Sequence, residues 1–503
     1  MSADAGPPGT PLTRRRFLWL GAAGAAVVGG GAAGTRLLLS GSPVGPGDPA
    51  VAATEAARST TGRVVSRELR AAPATVDLGG RVVDTWAYGD SVPGPQIRVN
   101  AGDELRVRLV NDLPDSTTVH WHGLSLRNDM DGVPGLTMPS VGAAESFDYS
   151  FVVPDPGTFW FHPHFAVQLD TGLQAALIVE DPDEQADYDV EAVLVLDDWT
   201  DGLGDSPAEI FAGMRENGMD MGGMDMAEMD MAEVSAAEPL GADTGDVVYP
   251  AHLINGRLPS APVTVASLAG RRIRFRLINA GSDTAYRFAI GGHRLTVTHA
   301  DGFPVLPVEV DTLLLGMGER YDVVVTAGDG AFPMVAVPEG KDDPSALAVL
   351  RTSSGPTPAA SARPGELDGR MLTYADLVPV DQVALPAREP DRQLDLLLEM
   401  ADGGRRWLIN GAAYGDHEPL TVEAGERVRL AMSNHSMMFH PMHVHGHTFA
   451  AGPRGVRKDT INVLPMRSLS VDLHADNPGQ WLVHCHNVYH GELGMMTVLS
   501  YVA

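Results

Sequence analysis

The sequence predicts an all-β chain built from three related domains, and three observations carry that expectation. Its 56 Gly and 37 Pro cut many short Val, Leu and Thr runs, a composition that favours short strands and tight turns over long helices. Its 503 residues exceed one ordinary domain, and about 150 residues per domain gives about three. One pattern also recurs at fixed internal spacing: Ala101-Gly102 through Arg106-Val107-Arg108-Leu109 to Asn111, Ala269-Gly270 through Arg274-Phe275-Arg276-Leu277 to Asn279, and Ala424-Gly425 through Arg429-Leu430 to Asn434. Each copy reads as a turn, an alternating strand and a second turn. The copies lie 168 and 155 residues apart, so the repeating unit is a whole domain.

Composition shifts mark the divisions: an acidic, proline-containing break at Glu180 to Glu184 and a Ser/Pro/Gly/Ala stretch from Ser353 to Arg370. The expected organisation is an export signal and flexible linker over 1–58, a first domain over 59–182, and a second over 185–352 that carries a Met-rich insertion, 200–245. A linker over 353–385 and a third domain over 386–503 complete it.

At the N-terminus, Thr13, Arg14, Arg15, Arg16, Phe17 and Leu18 precede a Gly/Ala-rich apolar run to Gly34, the layout of a twin-arginine export signal. The run is weakly apolar for a membrane anchor, the other reading of such a stretch. Leu37, Leu38 and Leu39 would suit a lipoprotein signal, but Ser40 stands where the lipidated cysteine would be. Ala50, Val51 and Ala52 offer one small-residue cleavage point. The expected location is periplasmic, cell-surface or extracellular, with no membrane span in the mature chain. A formal net charge of −29 excludes nucleic acid as a partner, because binding phosphates requires a basic surface.

An exported chain can form disulfides, yet Cys485 is the only cysteine, so it needs another explanation. The repeat supplies one. Nine residues after Asn111 stands His120, in His120-Trp121-His122-Gly123; nine after Asn434 stands His443, in His443-Val444-His445-Gly446. Nine after Asn279 stands Phe288, so the middle domain has lost both histidines and kept only the glycine, Gly291. The first domain continues to His162-Pro163-His164, 42 residues past His120, and the third to His484-Cys485-His486, 41 past His443. Two pairs in each outer domain indicate one metal site shared between them.

In a strand, residues i and i+2 share a face, so each His-x-His sets two imidazoles side by side. One such pair is commonplace; four in matching register are not. The same alternation puts Cys485 on the face opposite His484 and His486, where His440, His490 and Met495 are its candidate partners. Two imidazoles, a thiolate and a thioether suit a blue electron-transfer copper. Zinc fits poorly, with no second cysteine and an all-histidine cluster alongside.

These motifs, His120-Trp121-His122-Gly123, His162-Pro163-His164, His440-Pro441-Met442-His443-Val444-His445-Gly446 and His484-Cys485-His486 on to His490 and Met495, resemble those of the multicopper oxidase family. That family contains laccases, ascorbate oxidase and bacterial copper-tolerance oxidases. The resemblance implies three cupredoxin-like Greek-key β-barrel domains and four copper ions. It implies a type 1 copper on His440, Cys485, His490 and axial Met495, and a type 2 copper on His120 and His443. Of the two type 3 coppers, one falls to His122, His162 and His486 and the other to His164, His445 and His484. It further implies an oxidoreductase that takes single electrons from a small reducing substrate and reduces dioxygen to water. Axial methionine is expected to stabilise oxidised copper and lower its potential.

Dioxygen reduction consumes protons. Asp131, in Met130-Asp131-Gly132, resembles the acid that follows the first motif in this family, and otherwise reads as a turn aspartate. Glu492, two residues past His490, is the second candidate proton donor. The substrate clue is a pentad repeated three times, Met219-Asp220-Met221, Met224-Asp225-Met226 and Met229-Asp230-Met231, whose soft thioethers select Cu(I). Met437 and Met438, just before His440, add a second soft pair or are simply core residues. The leading expectation is Cu(I) oxidation in copper tolerance, followed by a laccase-like oxidase of phenols or aromatic amines, then a ferroxidase. From another class come a copper-binding scaffold and a copper nitrite reductase, the latter resembling two-domain chains without the type 3 pairs.

Overall fold

The computed structural model describes residues 41–184, 187–218 and 238–503. Two packed sheets form within residues 64–180, two more within 190–351 and two within 392–501. The fold is all-β, in cupredoxin-like units.

The repeated segments occupy one structural position three times. Strands Glu104–Asn111, Arg272–Asn279 and Arg427–Asn434 each lie between a parallel neighbour and an antiparallel one, inside a four- or six-stranded sheet. Alternation is clear in the first, where Leu105, Val107 and Leu109 are buried and Arg106 and Arg108 exposed. The terminal asparagine does the same work each time. Asn111, Asn279 and Asn434 accept at Oδ1 from the N–H two residues on, at 3.0, 2.9 and 2.8 Å. Their amide groups donate to the carbonyls of Asp115, Thr284 and Met438. An asparagine side chain is suited to such a turn, and here it aims the next strand. That strand is His120–His122 in the first domain, Tyr286–Ile290 in the second and His440–Val444 in the third. In the second, Phe288 and Ile290 are buried core residues where the others carry histidines.

Residues 41–58, expected as leader and flexible linker, include ordered structure. Pro43 forms an isolated bridge with Val502, and Val44 N–H donates to the Tyr501 carbonyl at 2.8 Å. Helix α1 (Pro49–Ala56) follows, capped by Asp48, with Pro49 in its first turn. Ala50, Val51 and Ala52 lie inside it, Val51 is buried, and Glu55 accepts from the Val152 N–H. Helix α2 (Pro207–Asn217) lies within the expected 200–245 insertion and starts on a capping box, Ser206 with Glu209. Among the described residues no helix is long and apolar enough to cross a membrane.

Candidate metal centre

Sheet register brings the histidine motifs together. His120 is the cross-strand partner of His162, and His443 of His484. Only His120–His122 lies wholly in a strand: Gly157–His162 stops before Pro163, which has no N–H to continue the ladder, and the other pairs likewise straddle strand ends. The outer domains then interleave their rings. His122 stacks on His443 with centroids 3.8 Å apart, and His120 on His445 at 3.7 Å. Three groups converge so that their ligand atoms lie within 4.8 Å of one another: His120, His122 and His443; His122, His162 and His486; His164, His445 and His484.

In most of these rings one nitrogen is held and the other faces inward. His120 Nδ1 donates to the Asp131 carbonyl (2.9 Å), His443 Nδ1 to the Asp459 carbonyl (2.9 Å), His162 Nδ1 to the Pro163 carbonyl (3.0 Å) and His484 Nδ1 to the Cys485 carbonyl (2.9 Å). The Nε2 atoms of His120, His162, His164, His443 and His486, with Nδ1 of His122 and His486, are buried without any hydrogen-bond partner. Buried nitrogens are normally paired, so this convergence of lone pairs fits metal ligation. Burial and neighbouring imidazoles push His162, His164, His445, His484 and His486 well below the usual histidine range, and His122 follows for the same causes. Neutral rings are the form a metal requires.

One residue away lies the second group. His440 Nδ1 and His490 Nδ1 are 3.2 Å apart, and Cys485 Sγ lies 3.7 Å from each. Such separations match ligands about 2.0–2.3 Å from one ion. Cys485 and Met495 are fully buried, and Cys485 N–H donates to the Met495 carbonyl. Strand alternation thus sends Cys485 to one group and its neighbours, His484 and His486, to the others.

Asp131 is fully buried; its Oδ2 accepts from His445 Nδ1 at 2.9 Å and its Oδ1 lies 3.2 Å from His120 Nδ1. Glu492, in the short helix α3 (Val488–Glu492), lines both an open cleft of about 410 Å³ that reaches His164 and a smaller cavity beside His162, His164, His484 and His486. Burial pushes its carboxyl up to about 7. Met438 is buried and Met437 partly so. Met219, Met221, Met224, Met226, Met229 and Met231 lie outside the described residues.

Four residues that no spacing rule singled out complete the surroundings. Asp246 Oδ2 lies 2.8 Å from His490 Nε2, and Trp407 packs on the same ring at 3.9 Å. Asp459 Oδ1 is 3.2 Å from His122 Nε2, and Arg320 holds both oxygens of that carboxylate. Asp246 also floors an open cleft of about 670 Å³ whose walls include Asp205, Glu209, Met214 and Val248.

Three models described as multicopper oxidase match residues 71–184, 191–355 and 388–502. The chain is 44% identical to multicopper oxidase MmcO of Mycobacterium tuberculosis, over 98% of each chain. It is 26% identical to a copper resistance protein A homolog of Pseudomonas syringae pv. tomato, over 84% of this chain and 89% of that one. Among solved structures, a multi-copper oxidase from Pseudomonas thermotolerans superposes with a TM-score of 0.67 at 28% identity, covering 87% of this chain and 99% of that one.

Proposed function

The chain belongs to the multicopper oxidase family, and from that premise we propose that it is an exported oxidase of Cu(I), acting in copper tolerance, with four copper ions and dioxygen as the electron acceptor. His440, Cys485, His490 and Met495 would hold the type 1 copper, and His120 and His443 the type 2. His122, His162 and His486 would hold one type 3 copper and His164, His445 and His484 the other. Copper at these positions supplies the one-electron chemistry that carries four electrons to dioxygen.

One observation carries the oxidase reading: Cys485 sits in the donor-side group while its covalent neighbours, His484 and His486, sit in the histidine cluster. The path between the two is a few bonds of backbone. Seven of the eight cluster rings are buried, with His164 partly open to a cleft, and Asp131, bonded to His445 and near His120, is placed to hold a proton there.

Support for Cu(I) comes from where the described ends of the Met-rich segment lie. Gly218, just before it, packs against the Gly403 carbonyl and Arg405; Asp243, shortly after it, bridges to Met438, and Asp246 bonds His490. The cleft above Asp246 is acidic and suits cations. Its volume also falls within the range of small organic ligands, about 300–1,000 Å³, which keeps a phenol or aromatic amine as the second reading.

The test compares steady-state oxidation of Cu(I), Fe(II) and a phenol by the intact chain and by one lacking residues 219–237, which leaves α2 in place. Cu(I) turnover is expected to fall while phenol turnover holds. Undiminished Cu(I) turnover in the deletion would remove the Met-rich segment from the reading, and absent Cu(I) turnover by the intact chain would remove Cu(I) as the substrate.

A further inference from the structure

We propose that Arg320, supplied by the middle domain that carries none of the cluster histidines, is a positioning residue for the type 2 and type 3 sites and acts through Asp459. The proposal rests on the assignment of His122 and His443 as copper ligands given above.

Arg320 opens strand Arg320–Thr326 and is fully buried. Its guanidinium has five N–H bonds, and five acceptors meet them. Nε donates to the Thr158 carbonyl (3.1 Å), Nη1 to the Gly318 carbonyl (3.0 Å) and Asp459 Oδ1 (2.7 Å), and Nη2 to the Asp301 carbonyl (3.1 Å) and Asp459 Oδ2 (2.6 Å). Those acceptors come from all three domains. Asp459, fixed in this way, turns its carbonyl to His443 Nδ1 and its Oδ1 to His122 Nε2, so one residue orients a ring from each outer domain.

The glycines record the same arrangement. A Cβ on Gly123, the glycine of the first motif, would lie 2.4 Å from Arg320 Nη2 and 2.8 Å from Asp459 Oδ2. That glycine therefore makes room for the ion pair. Gly318, at φ +83°, faces the cluster itself: a Cβ there would stand 2.9 Å from both His122 Cε1 and His486 Cδ2. The middle domain thus forms one wall of a cluster to which it gives no ligand.

Stability alone does not account for the pair, because buried ion pairs are often no better than apolar residues of the same size. Geometry does. Lysine offers a point charge with three donors and cannot make the planar double contact to a carboxylate together with the three carbonyl bonds.

The experiment uses copper-loaded wild type, R320K and D459N, with R287K as a control, since Arg287 pairs with Glu339 inside the middle domain. Type 1 and type 2 copper are counted by their absorption and EPR signals, and type 2 affinity is measured by chelator competition. Loss of a residue that orients a metal ligand typically weakens metal binding about 10–100-fold. R320K is expected to show a weakening of that order with altered type 2 EPR parameters, while its type 1 signal and those of R287K match wild type. Should R320K fail to fold, D459N, which keeps the side-chain shape, is read by the same criteria. Unchanged type 2 affinity and spectrum would overturn the proposal, as would parallel loss of type 1 copper, which marks general unfolding. A wild type with no type 2 signal would instead overturn the ligand assignment on which the proposal stands.

Discussion

Asp246 Oδ2 lies 2.8 Å from His490 Nε2, so a carboxylate on the floor of a surface cleft is one hydrogen bond from a ring whose other nitrogen faces Cys485 Sγ at 3.7 Å. This hydrogen bond connects the cleft to the Cys485 group. A hydrogen bond to a charged partner is worth about 1.5–3 kcal/mol. D246N is expected to lower kcat/KM for Cu(I) by roughly 10–100-fold, the rate equivalent of that energy. An unchanged kcat/KM would show that donors enter elsewhere.

The same pair is expected to govern metal uptake. Burial lowers the His490 pKa, but Asp246 and Cys485 outweigh it and carry it up to about 10 in the metal-free protein. A proton on His490 competes with metal, so type 1 loading of the apoprotein should rise with pH. In D246N that dependence should flatten. Titrations of the blue band against pH that coincide for the two proteins would refute it.

C485S should lose the blue charge-transfer band and donor oxidation, yet keep copper in the three histidine groups, none of which includes Cys485. The measurements are the visible spectrum and copper per chain. A blue band in C485S would undo the type 1 assignment.

D131N keeps the shape of a residue bonded to His445 and close to His120 but removes the carboxyl group that could exchange a proton. Stopped-flow mixing should show type 1 reduction by donor at the normal rate and reoxidation by dioxygen slowed by about 100-fold, the scale of a lost general acid. Normal reoxidation at every pH would exclude Asp131 from proton delivery.

Glu492 yields a pH prediction with a definite sign. Its folded-state pKa, about 7, lies above the ordinary 4.5 because burial disfavours the ionised form. The folded state therefore holds this proton more tightly than the unfolded chain, and the group's contribution to stability falls as pH rises from 4.5 to 7. The Tm of E492Q relative to wild type should improve across that window. If Glu492 also feeds protons to the cluster, wild-type turnover should decline above pH 7 and E492Q should lack that limb. Parallel Tm curves would count against the first claim and parallel rate profiles against the second.

Much of the centre is legible in the sequence because its determinants are local. The His-x-His pairs and Cys485 depend on strand alternation, and the strands that carry two of those pairs are aimed by Asn111 and Asn434 through bonds spanning two to four residues. Helix α2 carried a readable signal too, Ser206-Pro207 with Glu209, although the methionine pentads beside it dominate the segment. Residues 49–56 show the opposite case. Small residues after a leader read as flexible, whereas burial of Val51 and the contact of Glu55 with Val152 hold them in a helix.

By itself the sequence determined the three β-units, the four histidine motifs and the thiol that joins two groups of candidate metal ligands, since each follows from backbone periodicity and covalent adjacency. Only the tertiary structure decided which acids and cations serve the centre. Asp246 reaches His490 across 244 residues, and Arg320 reaches Asp459 across 139. No periodicity marks such residues, because their partners are chosen by the packing of one domain on another rather than by position along a strand.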